Sequence, residues 1–173
     1  DEYKSVGEEM IFLDANENPF PSDVNRYPDP QQRDLKIELG KIKSIASENI
    51  LLGNGSDEVL DLLFRAFCEP GVDNIITLPP TYGMYSVLAG INNIETRDVL
   101  LDESFQPKVS KILESIDKYT KMIFLCSPNN PTVNSFADEK LEQILQKFNR
   151  LVVIAEAYID HSKKGSCLMK LNK

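Results

Sequence analysis

The chain has 173 residues, of which 42% are apolar and 27% charged, and its 19 basic and 27 acidic residues give a net charge of −8. This composition is ordinary for a globular protein and excludes a disordered acidic tail, a collagen-like chain and a disulfide-dense miniprotein. Because the acidic excess is not offset by a basic patch, we expect no nucleic acid among the partners. At about 150 residues per domain, the length predicts one compact domain.

The cysteines, the N-terminus and the apolar runs indicate whether the chain binds metal and in which compartment it lies. Cys68, Cys126 and Cys167 lie far apart and lack the CxxC or CxxH spacing of zinc sites, so we expect no bound metal. The N-terminus has neither the basic segment nor the apolar segment of a signal peptide, and no apolar run approaches the roughly 20 residues that span a bilayer. These features predict a reduced, cytoplasmic protein without a membrane partner.

The predicted elements begin with an irregular segment and continue as an alternation. Residues 1–29 are rich in Pro and Asn, which predicts an arm without regular structure. Apolar periodicity predicts helices over 30–45, Ser56–Phe67, 82–90, 109–116 and 138–148. Apolar runs predict strands over 74–78, 94–99, 122–126 and Leu151–Ala155, the last two covered on both faces. The alternation predicts an α/β domain with a mainly parallel sheet and flanking helices.

A glycine-rich turn, GNGSDE at residues 53–58, precedes the second helix. The free N–H groups at such a helix start, together with the helix dipole, can hold a phosphate. The turn lacks the third glycine of a dinucleotide fingerprint and the Gly-Lys-Ser/Thr of a P-loop. A plain helix cap is the competing interpretation.

Two further loops follow predicted strands. PPTYGMY at 79–85 puts Tyr82 at the carboxyl end of a parallel strand, where an aromatic ring can stack on a planar ligand. SPNNPT at 127–132 is stiffened by two prolines and presents amide groups at the same edge. Ordinary turns, with a core tyrosine in the first, are the alternative.

The last predicted strand ends in Ala155-Glu156-Ala157-Tyr158. Because strand side chains alternate between faces, Glu156 should point away from the face that carries Ala155. The single histidine, His161, follows, and we interpret it as a surface residue.

Taken together, these segments resemble the histidinol-phosphate aminotransferases, which are fold-type I enzymes dependent on pyridoxal 5'-phosphate. The matching segments are LDANENP (13–19), RYPDPQ (26–31), GNGSDE (53–58), RAFCEPG (65–71), PPTYGMY (79–85), SPNNPT (127–132) and EAYID (156–160). They run in the family's order and cover nearly the whole chain, although single motifs recur in other aminotransferases and in related decarboxylases.

The resemblance implies a set of cofactor contacts. The backbone at Ser56 and Asp57 would hold the cofactor phosphate, and Tyr82 would stack on the pyridine ring. Asn130 and Tyr158 would hydrogen-bond the 3-oxygen of that ring.

The resemblance also implies a partner, a substrate entrance and a reaction. Tyr27 would reach the phosphate in the partner subunit of a homodimer, and the arm around Asn16 and Glu17 would line the substrate entrance. The reaction would move an amino group between glutamate and imidazole-acetol phosphate, within histidine biosynthesis.

Three positions depart from the family pattern. The Asp that pairs with the pyridine nitrogen falls at Ala155, which has neither charge nor acceptor, and the strand pleat turns Glu156 away. The expected Gly after residues 131–132 is Val133, which puts the backbone of that loop in question. His161 stands where an aromatic residue is usual.

The family's Schiff-base lysine, its substrate-binding arginines and its small domain would all follow Lys173. Lys163 and Lys164 come too early, and we interpret them as surface charges. We therefore expect an arm at 1–29 and, at 30–173, an incomplete pyridoxal-phosphate-binding large domain, truncated and inactive by itself.

Two alternatives stay open beside a truncated aminotransferase. One is a lysine-free pseudoenzyme that holds pyridoxal phosphate or another phosphate ligand without chemistry. The other is an assembly module whose exposed sheet edge pairs with another chain, and for such an incomplete sheet we expect self-association.

Overall fold

The computed structural model describes residues 15–170, without the side chains of residues 169 and 170. The chain divides into two compact units, Asp1–Leu52 and Gly53–Lys173. Residues 1–14 of the expected arm and residues 171–173 lie outside the described part. The division into an arm at 1–29 and a domain at 30–173 stays a prediction.

The described part of the first unit begins without regular structure. Residues 15–29 form neither helix nor strand, as their composition predicts. Side-chain hydrogen bonds hold the segment instead, and one of them runs from Asn25 Nδ2 to Asn18 O at 3.1 Å. Polar side chains thus replace helix and sheet bonds here.

Helix α1, Arg33–Lys43, is shorter than the predicted 30–45. Gln32 explains the late start, because its φ of 46° is not helical, and the Asp29 carboxylate accepts the backbone N–H of Arg33 at 2.9 Å. The apolar residues that predicted this helix are largely exposed, with Leu35 at 59% and Ile42 at 75%.

The second unit is built on a four-stranded, wholly parallel sheet. Its strands are β1 (Asn74–Thr77), β2 (Glu95–Asp98), β3 (Thr120–Cys126) and β4 (Leu151–Ala155). They lie in the order β2-β1-β3-β4. The helices are α2 (Ser56–Phe67), α3 (Met84–Ile91), α4 (Val109–Glu114) and α5 (Asp138–Lys147). The predicted α/β class with a mainly parallel sheet is confirmed.

Apolar clusters cover the sheet on both faces and make three layers. The α4–α5 cluster joins one face to helices α4 and α5 and includes Ile76, Ile123, Ile112 and Ile144. The α2–α3 cluster joins the other face to helices α2 and α3 and includes Ile75, Phe124, Phe64 and Leu88. A buried sheet between helices is the usual setting of parallel strands.

One prediction about burial is wrong. Helix α2 begins and ends where predicted, and it buries Leu60 and Phe64 and leaves Phe67 exposed. Strand β4 also has its predicted bounds, yet all five residues are only half-buried. Among the described strands β4 pairs with β3 alone, so one of its edges has no strand beside it.

The Asp117 carboxylate accepts several hydrogen bonds at the amino edge of the sheet. It accepts Asn74 Nδ2 at 3.1 Å and the backbone N–H of Tyr119 at 2.8 Å, and it pairs with Arg97 at 2.9 Å. These donors, led by the Asn74 amide, hold the pKa of Asp117 well below its usual range.

We expect Asp117→Asn to lower the free energy of unfolding at neutral pH, by an amount that shrinks in acid. Because the pKa is lower in the folded state than the ordinary 3.8, the carboxylate stabilises the fold above that value, and its contribution is lost as pH falls through the folded pKa. Urea unfolding of both proteins at about pH 7 and about pH 3 measures this. An equal difference at both pH values would contradict the role given to Asp117.

None of the helices among residues 15–170 is long and apolar enough to cross a membrane.

Candidate functional site

The course of the chain across the sheet reverses between β1 and β3. Strand β1 continues through α3 to β2 on one side, whereas β3 continues through α5 to β4 on the other. In open parallel sheets, ligands bind at the carboxyl edge where such a reversal opens a crevice. The loops that leave β1 and β3 at this point carry Tyr82 and Asn130. The topology therefore brings two predicted cofactor residues to one edge.

A single buried side chain joins these two loops. Asn129 is 2% exposed. Its Nδ2 donates to Pro80 O at 2.8 Å and to Thr132 Oγ at 2.6 Å, and its Oδ1 accepts Thr81 Oγ at 3.0 Å. Sequence reasoning treated Asn129 only as one of two loop amides and missed this role. Its place in the short loop that follows a buried strand, three residues after Cys126, is the one sequence signal that could have indicated it.

The start of α2 contacts the loop after β1. Gly55 precedes the helix with φ 82°, in the left-handed region that favours glycine, and a Cβ there would meet nothing within 4 Å. The first N–H groups of an α-helix have no partner within the helix. The backbone N–H groups of Ser56 and Asp57 can therefore hold an anion, as the phosphate interpretation requires.

Tyr82 lies in the loop before α3, because that helix begins at Met84 and not at the predicted residue 82. Its hydroxyl donates to Asp57 Oδ1 at 3.0 Å and its ring packs edge-on against Tyr85 with centroids 5.6 Å apart. The hydrogen bond to Asp57, with burial second, raises the pKa of Tyr82. Two predicted site residues, Tyr82 and Asp57, thus meet. Asp57 holds the Tyr82 ring at its hydroxyl, and Tyr85 packs against it.

Asn130 and Tyr158 line one pocket of about 320 Å³ in the second unit. The other lining residues are Pro128, Asn129, Pro131, Val133, His161 and Ser162. The structure thus brings together the two side chains that the resemblance assigns to the ring oxygen. His161 is exposed, as interpreted from sequence, but it also lines this pocket.

Ala155 and Glu156, at the end of β4, point to different sides, as the strand period predicts. Ala155 packs against the α2–α3 cluster and lies beside Cys126 in the register of β3 and β4. Glu156 instead accepts the backbone N–H of Cys167 at 2.7 Å and the hydroxyl of Ser166. Its carboxylate is engaged by the C-terminal segment and does not replace a carboxylate at position 155.

The Tyr85 hydroxyl is buried without a hydrogen-bond partner. It lies beside the Cys126 thiol, which itself donates to Pro128 O at 3.5 Å, and burial raises the pKa of Tyr85 far above its ordinary value. A buried donor without a partner carries a free-energy cost. In this chain the position next to Cys126 on β4 holds Ala155, which has no acceptor to offer.

Lys163 and Lys164 are not among the residues that line the pocket of Asn130 and Tyr158. Lys164 Nζ donates to Phe136 O at 2.8 Å and lies 3.4 Å from Asp138 Oδ1. Lys163 is exposed. Their interpretation as surface charges fits these positions.

The three candidate residues of the arm lie in the first unit. Glu17 accepts the backbone N–H of Tyr27 at 2.7 Å and pairs with Arg26 at 2.7 Å. The Tyr27 side chain is 74% exposed, and Asn16 adopts φ 52°. Two of the three are therefore in direct contact, with the Tyr27 ring facing solvent.

Val133 occupies a backbone conformation that favours glycine. Its φ is 66°, in the left-handed region, and its side chain is 81% exposed. A β-branched residue there is strained. Exposure means that little packing compensates for the strain, which bears out the concern about this loop.

We expect Val133→Gly to raise the free energy of unfolding by about 1 kcal/mol, since relief of strain exceeds the entropy that glycine adds to the unfolded chain. Val87→Gly is the control, because Val87 is also exposed, at 50%, but lies within α3. The control should lower the free energy of unfolding by about 0.5 kcal/mol. Thermal unfolding that shifts in the same direction for both variants would contradict the strain at Val133.

The family model described as "Aminotransferase class I and II" matches residues 13–169. A protein of Christiangramia forsetii named histidinol-phosphate aminotransferase is 63% identical over 171 residues, which are 99% of this chain and 49% of the relative. One of Flavobacterium johnsoniae with the same name is 66% identical over 95% of this chain and 47% of its own. The chain spans about half the length of the curated relatives it matches.

Solved structures agree in fold. The histidinol-phosphate aminotransferase of Clostridium acetobutylicum superposes with a TM-score of 0.74 at 24% identity, over 85% of this chain and 44% of that one. The alanine aminotransferase of Pyrococcus furiosus gives a TM-score of 0.69 at 28% identity, over 79% of this chain and 37% of that one. The parallel sheet and its flanking helices are therefore an architecture shared with these enzymes.

Proposed function

The chain belongs to the aminotransferase class I and II family, and we propose that it is the part of a histidinol-phosphate aminotransferase that holds pyridoxal 5'-phosphate. The reaction is the exchange of an amino group between glutamate and imidazole-acetol phosphate in the cytoplasm, within histidine biosynthesis. The name carried by its relatives supports this choice over other aminotransferases.

The observation that carries the proposal is the meeting of α2 and two loops at the carboxyl edge of the sheet. Tyr82 bonds to Asp57 in the first turn of α2, and Asn129 ties the Tyr82 loop to the loop of Asn130. A phosphate, a flat ring and a ring oxygen need three such groups close together. This arrangement supports a ligand of that composition.

The described residues fit the cofactor at its phosphate and at its ring oxygen. Ser56 and Asp57 offer backbone N–H groups to the phosphate, the Tyr82 ring offers a stacking surface, and the Asn130 amide and Tyr158 hydroxyl offer hydrogen bonds to the 3-oxygen. At the ring nitrogen the fit fails, because Ala155 offers no carboxylate and the neighbouring Tyr85 hydroxyl is unpartnered.

When bound, pyridoxal 5'-phosphate supplies an electron-accepting ring for amino-group transfer. This chain's residues bind and orient it. Asp57 accepts the Tyr82 hydroxyl and so fixes the stacking ring, while the raised pKa keeps that hydroxyl protonated. Ala155 holds no proton at the ring nitrogen, so we expect slow amino transfer even when the residues that follow in its relatives are supplied.

The arm completes the proposal. Tyr27 reaches the phosphate in the partner subunit of a homodimer, and its exposure leaves the ring available for such a contact. Asn16 and Glu17 line the substrate entrance. In these terms residues 1–29 are the arm and residues 30–173 belong to the cofactor-binding large domain.

A second candidate is a protein that binds the cofactor, or another phosphate ligand, without transferring an amino group. Ala155 favours it, because the position that should keep the ring nitrogen protonated carries no charge. Binding alone does not separate the two candidates, whereas amino transfer does.

The test is a hybrid in which this chain replaces the matched residues of the Christiangramia forsetii relative. Glutamate and imidazole-acetol phosphate are supplied with the cofactor, and the amino product is measured. Transfer by the hybrid that keeps Ala155, even at a slow rate, supports the aminotransferase proposal. Cofactor binding without amino transfer by that hybrid would contradict the proposal. The second candidate, a protein that only binds the cofactor, would then remain.

A further inference from the structure

We propose that Asn129 is a positioning residue that holds the Tyr82 ring and the Asn130 amide in register for one ligand. The inference rests on the proposed function and deepens it, because it names the side chain that keeps the two cofactor-binding loops together. Asn129 itself is not expected to supply the chemistry.

Asn129 uses both ends of its amide across the crevice. Its Nδ2 donates to Pro80 O at 2.8 Å and its Oδ1 accepts Thr81 Oγ at 3.0 Å. Those partners lie 49 and 48 residues away in sequence. The amide therefore closes a connection between the loop after β1 and the loop after β3, at the point where the course of the chain reverses.

A third bond makes the position rigid. Asn129 Nδ2 also donates to Thr132 Oγ at 2.6 Å within its own loop. The side chain is 2% exposed, so water does not compete readily for these bonds. With two donated bonds and one accepted, the amide has a single orientation that satisfies its partners.

The residues next to this connection are the ones that meet the ligand. Thr81 immediately precedes Tyr82, and Asn130 immediately follows Asn129. A shift of either loop moves a ring-stacking group relative to a hydrogen-bonding group. Small displacements of positioning groups have large effects on binding and rate. Loss of the connection should therefore lower the affinity for the ligand more than it lowers the stability of the fold.

A buried asparagine elsewhere in the sheet provides the comparison. Asn74 is 1% exposed and donates through Nδ2 to Asp117 Oδ1 at 3.1 Å, at the amino edge. At either position, an Asn→Asp change replaces the donating amide with a carboxylate. That carboxylate then repels the oxygen that accepted the hydrogen bond. Asn129→Asp and Asn74→Asp are therefore matched in chemistry and differ in their edge of the sheet.

The experiment measures three properties of the 173-residue chain and both variants. Calorimetry gives the affinity for pyridoxamine 5'-phosphate, which has no aldehyde to react with surface lysines. Amide hydrogen exchange of the ligand-free protein follows residues 81–83 and 129–134, and thermal unfolding gives stability. We expect both variants to lose stability, but only Asn129→Asp to lower the affinity, by about tenfold, and to speed exchange in both loops.

Thr81→Val is a milder variant that decides the question if Asn129→Asp does not fold. It removes only the hydroxyl that Asn129 accepts and should lower affinity by about threefold, with faster exchange in both loops. Unchanged affinity and unchanged loop exchange in a folded variant would overturn the proposal. Failure of the unsubstituted chain to bind would instead contradict the proposed function, and loop exchange would still decide whether Asn129 connects the loops.

Discussion

Ala155→Asp should raise the rate of amino transfer by the hybrid about a thousandfold, which is the range that one buried electrostatic contact commands in an active site. Ala155 and Tyr82 border the same α2–α3 cluster, and Ala155 lies beside Cys126 in the sheet. A carboxylate there would face the ring nitrogen and favour its protonated form, which strengthens the ring as an electron acceptor. It would also offer an acceptor near the unpartnered Tyr85 hydroxyl.

Two controls separate charge from size. Ala155→Asn has nearly the same volume but no charge, and we expect it to recover less than about a tenth of the gain. Ala157→Asp adds the same carboxylate at an exposed position two residues further on and should leave the rate unchanged. Equal rates for the Asp and Asn variants at position 155 would contradict a role for the charge.

Tyr82→Ala should weaken the affinity of the chain for pyridoxamine 5'-phosphate by about thirtyfold, because stacking on one aromatic ring contributes about 2 kcal/mol. The ring is fixed by Asp57 through its hydroxyl and by Tyr85 at its edge, so little ordering is needed when the ligand binds. Titration calorimetry measures the change directly.

The ring and the hydroxyl of Tyr82 can be tested separately. Tyr82→Phe keeps the stacking surface and removes the bond to Asp57, so we expect an affinity within about threefold of the original. Tyr119→Ala removes an exposed tyrosine at the amino edge of the sheet and should leave the affinity for pyridoxamine 5'-phosphate unchanged. Equal losses for Tyr82→Ala and Tyr119→Ala would mean that Tyr82 does not meet the ligand.

Local signals predicted the elements of the fold well. Helix α2 has its predicted bounds because Gly55 frees the backbone before it and a Pro-Gly pair follows it. Burial was harder to predict, because it depends on neighbours that sequence does not display. Leu151–Ala155 has the apolar run of a covered strand, yet it is half-buried, with only β3 beside it among the described strands.

The candidate site shows the same division between local and long-range information. Tyr82 and Asn130 were predicted because each follows a strand and because the motifs resemble a family. The connection made by Asn129 was missed, since its partners are 48 and 49 residues away. Val133 in place of an expected glycine put the backbone of its loop in question, because backbone conformation is a local property, and the φ of Val133 is 66°.

The most direct test of the proposed cofactor site is a calorimetric comparison of pyridoxamine 5'-phosphate with pyridoxamine on the unsubstituted chain. If the start of α2 holds a phosphate beside the Tyr82 ring, the phosphorylated ligand should bind with one molecule per chain and at least about tenfold more tightly. Equal affinities for the two ligands, or no binding of either at millimolar concentration, would contradict the site.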